Sequence, residues 1–201
     1  MGEFAIQKNI YSIEEYLELE EESQIRYEFY QGEVFAMAGA TVTHNEITFN
    51  ITSILKRKAS KCRTFMENVK LEILKDTFYA YPDVMVTCDA RDLEDKLTQR
   101  FPILIAEVLS KSTQSTDRVT KLRRYRQIPT LRYYLLVDQY EHRAELYTYQ
   151  DKQKNTWLYQ DFNDLEEEVS FPELNLTIKL SEIYQGVTLT QDNTSDSSTS
   201  Q

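Results

Sequence analysis

Two short apolar runs constrain this chain more than any other feature: Tyr81-Pro82-Asp83-Val84-Met85-Val86 and Ile103-Leu104-Ile105-Ala106-Glu107-Val108-Leu109. Each reads as a strand covered on both faces, and each carries one carboxylate that a hydrophobic core would not select. An ionised carboxylate is costly to remove from water unless a cation or hydrogen-bond donors compensate it. Pro82 has no N–H and sits most easily at a strand start, where it can turn Asp83 out of the ladder toward a cleft. Glu107 falls late in its run, before the polar Ser110-Lys111-Ser112-Thr113, and strand ends facing a crevice are where α/β sheets place their sites. Either acid alone reads as a turn cap or an arginine partner. If the two strands lie side by side, the acids and a nearby backbone carbonyl make a hard-oxygen set that suits Mg²⁺, or Mn²⁺ in its place, better than zinc.

The remaining pattern predicts a mixed α/β chain. Ser12-Ile13-Glu14-Glu15 has the form of a capping box for a helix to about Glu22. Ile25 to Gly39 reads as a hairpin, with strands Arg26–Tyr30 and Glu33–Met37 around Gln31-Gly32. Thr43 is expected to cap a helix to about Ala59, with Ile47, Ile51, Ile54 and Leu55 on its apolar face. Strands are expected near 63–66, 69–75, 78–87 and 102–109, with a loop or short exposed helix between Asp89 and Arg100. A helix from the Ser112–Thr116 region to about Gln127 precedes a buried strand Tyr133–Asp138. Antiparallel segments at 143–149 and 157–162 follow, then an irregular edge at 172–176 and a short helix at 180–184. The expected architecture is a mixed sheet flanked by helices, with an N-terminal helix and β-hairpin addition. It forms one domain over 1–189, with a poorly defined lead-in and a disordered polar tail at 190–201.

Composition narrows the chemistry. Four glycines in 201 residues leave no G-x-G-x-x-G or phosphate-cradling lysine loop. A net charge of -10 argues against nucleic-acid binding as a global property. The local field decides association, however, and basic residues cluster at Lys56-Arg57-Lys58, Lys61 and Arg63, and again at Arg118, Lys121, Arg123, Arg124 and Arg126. The second cluster reads either as a solvated helix face or as phosphate contacts beside the acids. Cys62 and Cys88 have no metal-ligand spacing and are expected to be free thiols in a reducing compartment. With no signal-peptide pattern and no long apolar run, the expected location is the cytoplasm, with no membrane partner. Lys121 follows Asp117 by one helical turn. The pair reads equally as an exposed ion pair of about 0.3–0.5 kcal/mol and as an ammonium aimed at the carboxylates.

These residues resemble a family. Pro82-Asp83 followed by Glu107-Val108-Leu109 is similar to the signature of the PD-(D/E)xK nuclease superfamily. The ordered series is more specific: Tyr27-Glu28, Gly32-Glu33, Met37-Ala38-Gly39, His44-Asn45, Pro82-Asp83-Val84, Glu107-Val108-Leu109-Ser110, Ser112-Thr113, Asp117, Lys121 and Tyr134-Leu135-Leu136-Val137-Asp138. Spanning roughly 12–185, it resembles the Uma2 family of restriction endonuclease-like proteins. The resemblance implies a restriction-endonuclease-like fold and Mg²⁺-dependent hydrolysis of DNA phosphodiesters, with Asp83, Glu107 and the Val108 carbonyl as metal ligands. The lysine that usually stands two residues after the acid is Leu109 here. Lys121 is the best match for a migrated amine, with Lys111 the weaker one. By the same resemblance His44 takes the place of an acid from the first core helix, ahead of Glu46, and Glu28 matches a recurrent family acid. Cuts on two DNA strands need two sites, which makes a homodimer the expected assembly. The alternatives are a catalytically silent nucleic-acid-binding module on a nuclease fold and an interaction protein whose acids are neutralised by arginines.

Overall fold

A computed structural model describes residues 10–23, 25–37, 39–111, 113–151 and 156–189. The expected lead-in, apart from Ile10, and the polar tail lie outside the described residues. Helix α1 (Ile13–Glu22) opens on the expected capping box, with Ser12 Oγ accepting from the Glu15 N–H at 3.2 Å and the Glu15 carboxylate accepting from the Ser12 N–H at 2.8 Å. Strands β1 (Tyr27–Tyr30) and β2 (Glu33–Ala36) form the hairpin, and Gln31 and Gly32 at its turn both adopt positive φ.

The cap of α2 (Val42–Lys58) differs from expectation. Thr41, not Thr43, accepts the His44 N–H, at 3.0 Å. Thr43 is buried in the first turn, its hydroxyl directed at the Thr188 carbonyl. The expected apolar face of Ile47, Ile51, Ile54 and Leu55 is buried as read.

Two sheets follow. One, in the order β2-β1-β5-β4-β7, joins the hairpin to β4 (Lys70–Leu74), β5 (Phe78–Ala80) and β7 (Thr98–Gln99). The other has the order β11-β10-β9-β8-β6-β3 and holds β3 (Arg63–Met66), β6 (Val84–Thr87), β8 (Pro102–Leu109), β9 (Tyr133–Asp138), β10 (Ala144–Asp151) and β11 (Thr156–Phe162). The expected continuous strand 78–87 is therefore broken, because Pro82 cannot donate to a ladder and the chain changes sheets across Tyr81-Pro82-Asp83. β8 and β9 run parallel, while the other pairs in this sheet are antiparallel. The β8–β9 crossover is a six-residue π-helical segment (Thr116–Lys121) continued by α3 (Leu122–Tyr125).

Side chains alternate across β8. Leu104, Ala106 and Val108 join α2 in one core, which also takes in β12 (Glu168–Phe171), β13 (Leu176–Lys179) and α4 (Leu180–Ile183). Ile105 and Leu109 face the other way, into a core with Tyr125, Tyr134 and the β4–β5 residues Leu71, Phe78 and Ala80. A third cluster, Tyr16, Tyr27, Phe29, Val34 and Tyr79, seats α1 on the outer face of the first sheet. The layers run α1, first sheet, second sheet, α2. Where an irregular edge was expected at 172–176, β12 and β13 form an antiparallel hairpin through a short 3₁₀ turn.

The cysteine expectation is overturned: Cys62 and Cys88 form a disulfide. The reason is register. Arg63 pairs with Thr87 at one end of the antiparallel β3–β6 ladder, so the next positions outward, 62 and 88, stand opposite each other. Among the described residues, no helix is long and apolar enough to cross a membrane.

Candidate active site

The β6–β8 ladder places the two acids together. Val84 pairs with Ala106, so Asp83 comes opposite Glu107 just where regular pairing stops. Side-chain bonds take over there. The Asp83 carboxylate accepts the Val108 N–H at 2.7 Å, and the Glu107 carboxylate accepts the Asp83 N–H at 3.3 Å. Each acid thus satisfies a backbone donor of the other strand, which accounts for both within an apolar sheet.

Three further elements close around this pair. From the first turn of α2, His44 brings Nε2 to 3.2 Å from Asp83 Oδ2. From the crossover, Lys121 Nζ lies 3.2 Å from Glu107 Oε1 and 3.1 Å from Asp117 Oδ1. From β1, Glu28 approaches the same ammonium at 3.8 Å, since Tyr27 and Phe29 turn to the α1 side and leave Glu28 facing inward. The Lys121 side chain is only 13% exposed and those of Glu107 and Asp117 3% and 2%, so the reading of Asp117–Lys121 as an exposed surface pair is wrong. The segment is a π-helical turn in which positions four apart share one face, and that face is turned inward onto the two acids. Such turns occur often at functional sites.

Electrostatics separates the two acids. Burial opposes ionisation of Asp83, but the hydrogen bond and charge of His44, the charge of Lys121 and the Val108 amide outweigh it and hold the carboxyl below its ordinary value. Glu107 goes the other way. Burial, reinforced by the charges of Asp83 and Asp117, pushes it well above the usual carboxylate range despite Lys121. For His44, burial works against the imidazolium, yet the hydrogen bond to Asp83 and the charges of Asp83, Glu67 and Asp117 raise its pKa. Lys121 is likewise held protonated by Glu107, Glu28 and Asp117 against the cost of burial.

The donor set suits a hard divalent cation. Four carboxylates, Glu28, Asp83, Glu107 and Asp117, face one ammonium and one imidazole, which leaves excess negative charge even with His44 protonated. Among the described residues, no three His, Cys, Asp or Glu side chains form a cage that could hold an ion by themselves. Two acids and the Val108 carbonyl, completed by water or phosphate oxygens, match the way Mg²⁺ is ordinarily held.

The structure brings together Asp83, Glu107, Lys121, His44 and Glu28, and leaves out the weaker lysine: Lys111 lies over the Tyr140 ring at 5.5 Å. Three arginines of the crossover turn onto the protein. Arg118 bonds Glu145 and Gln114, Arg124 stacks on Tyr30 and Phe78, and Arg126 lies over Trp157. Two site residues escaped the sequence reading. Asp117 stands in the sequence as a member of the family series and as the partner of Lys121, with no role of its own, and no motif singles out Tyr125, whose hydroxyl donates to Glu107 Oε1 at 2.7 Å. Their spacing of four and eight residues from Asp117 through Lys121 to Tyr125 was the available signal.

Comparison with known proteins shows the family and the fold. The Uma2 family model, described as putative restriction endonuclease, matches residues 13–181. Two uncharacterized proteins of Synechocystis sp. are similar over most of their length. One, sll1609, is 37% identical over 161 residues, covering 78% of this chain and 90% of its own. The other, slr1290, is 31% identical over 178 residues, covering 88% and 92%. Among solved structures, a putative nuclease of DUF820 from Anabaena variabilis superposes with a TM-score of 0.73 at 16% identity, over 89% of this chain and 99% of that one. At that identity the likeness concerns the fold.

Proposed function

We propose that this chain, which belongs to the Uma2 family of putative restriction endonucleases, is a metal-dependent endonuclease that hydrolyses DNA phosphodiester bonds. The observation that carries the reading is the reciprocal bonding of Asp83 and Glu107 at a strand end, with the Lys121 ammonium at the second acid. Asp83, Glu107 and the Val108 carbonyl would hold Mg²⁺ or Mn²⁺. The bound ion supplies Lewis acidity at the phosphoryl oxygen and lowers the pKa of a bound water.

The protein's own groups do the rest. Lys121 places a fixed positive charge beside Glu107, where it donates to the attacking water and opposes the negative charge that grows on the phosphoryl oxygens. Glu28 and Asp117 hold that ammonium from two further sides, which limits its rotamers and keeps it protonated. His44 fixes Asp83 Oδ2 and adds a second cation at the rim, where the side chains of His44 and Asp83 are 12% and 17% exposed.

Purified protein with Mg²⁺ or Mn²⁺ is expected to nick supercoiled plasmid, and Asp83→Ala to lose that nicking. Equal cutting by both would trace the activity to a contaminant and remove the assignment.

A further inference from the structure

The Tyr125 side chain belongs to no role so far. It is fully buried, and its hydroxyl makes a short hydrogen bond to Glu107, 2.7 Å from Oε1. A phenol buried in an apolar core is costly unless its hydroxyl finds a partner. Here the partner is a carboxylate of the site rather than a convenient backbone carbonyl. Tyr125 follows Lys121 by four residues, so both donors come from one helix face and reach the same oxygen, Lys121 Nζ at 3.2 Å. The other oxygen, Oε2, is approached by the Asp83 N–H at 3.3 Å.

We propose that Tyr125 is a positioning residue for Glu107: its hydroxyl holds Oε1 so that Oε2 stays turned toward Asp83, where the two acids share a divalent cation. The inference rests on the metal-site reading above. A carboxylate rotates about a soft, two-fold terminal torsion, so either oxygen can take either place unless something distinguishes them. A lysine ammonium can follow whichever oxygen comes near. A phenol on a fixed ring cannot, and this ring is fixed. It packs edge-on against Tyr134 at 5.3 Å, and the Tyr134 hydroxyl in turn donates to the Asp117 carbonyl at 3.1 Å. When Lys121 turns to a water or phosphate, Tyr125 remains as the donor that keeps Glu107 in place. Outer-shell donors of this kind orient metal ligands, and their loss typically weakens metal affinity by about 10–100-fold.

The test is Mn²⁺ titration of the full chain, followed by the paramagnetic signal of free Mn²⁺, with thermal melting measured on the same samples. Tyr125→Phe removes one oxygen and keeps the ring. It is expected to weaken Mn²⁺ binding by about 10–100-fold while the metal-free protein melts cooperatively. Tyr134→Phe removes the next hydroxyl out, which touches no carboxylate, and is expected to bind Mn²⁺ nearly as the unaltered protein does. If the unaltered protein binds Mn²⁺ and Tyr125→Phe binds it equally well, the positioning role is overturned and the metal site stands. Equal losses in both variants, tracking their melting temperatures, would overturn it in favour of a packing role. A wild-type chain that binds no Mn²⁺ would remove the metal-site reading and this inference with it.

Discussion

The Asp83 N–H donates to the Glu107 carboxylate at 3.3 Å, while the N–H next to Glu107, that of Val108, donates to the Asp83 carboxylate at 2.7 Å. The two acids thus replace the ladder bonds that Pro82 and the strand end interrupt. Fold and site are built from the same contacts: the device that ends β6–β8 pairing also brings two carboxylates into one place. Chemistry at these residues is therefore coupled to stability.

The raised pKa of His44 is driven by Asp83 and the neighbouring acids against burial. A folded-state pKa above the ordinary value of 6.5 means that its stabilising contribution is complete below that pH and lost as pH rises through the folded value. In Asp83→Asn the hydrogen-bonded partner charge is gone and only Glu67 and Asp117 still oppose burial, so the His44 titration midpoint, followed by NMR, is expected to fall. An unchanged midpoint would mean that Asp83 does not hold the imidazolium.

Burial pushes Glu107 well above the ordinary carboxylate value of 4.5. The metal-free protein is therefore stabilised by this group below that pH and loses the contribution as pH rises through the elevated folded value. The neutral isostere Glu107→Gln should melt higher than the wild-type chain at neutral pH and above, in the absence of metal. Mn²⁺ should raise the wild-type melting temperature and leave the variant's nearly unchanged. Parallel melting curves across pH for the two proteins would contradict the assignment.

Removal of the Lys121 charge leaves Glu107 and Asp117 buried beside each other. Lys121→Met is expected to cost about 3–5 kcal/mol in urea denaturation, the usual cost of orphaning a buried charge. Plasmid nicking should disappear in the same variant. Added Mn²⁺ should recover part of the lost stability, because a divalent cation can neutralise the acids that the ammonium no longer faces.

The Cys62–Cys88 disulfide closes a loop of 26 residues, and Cys88 is exposed at its outer end. By loop-closure entropy, a crosslink of that span stabilises by about 3–4 kcal/mol. Thiol reductant should lower the melting temperature of the wild-type chain, and a Cys62→Ser/Cys88→Ser chain should melt low with or without it. Insensitivity of the wild-type protein to reductant would show that the bridge is not formed in solution.

Local signals were legible in the sequence and non-local ones were not. The Ser12–Glu15 box, the Gln31-Gly32 turn and the α2 face each depend on residues within a turn or two of one another. Asp83 and Glu107 were legible because a carboxylate in an apolar run is conspicuous without any partner in view. Thr41 and Thr43 are equally good caps on local grounds, and what separates them is tertiary: Thr43 sits under the 188 region. The disulfide depends on β3–β6 register, which pairs residues more than twenty positions apart. The break at 81–83 follows from Pro82, yet the change of sheet that it permits is a property of the whole fold. Asp117 and Lys121 read equally as a surface pair and as groups aimed at the acids, because their spacing fixes a common face but not the direction in which that face turns.

The central claim is that Asp83 and Glu107 share one divalent cation, and the most direct measurement is a crystal structure of the protein soaked in Mn²⁺ with anomalous scattering recorded. The account predicts one strong anomalous peak within coordination distance of an oxygen from each acid and of the Val108 carbonyl. Undisturbed Asp83–Val108 and Glu107–Lys121 contacts with no peak between the acids, at Mn²⁺ concentrations that support nicking, would contradict it.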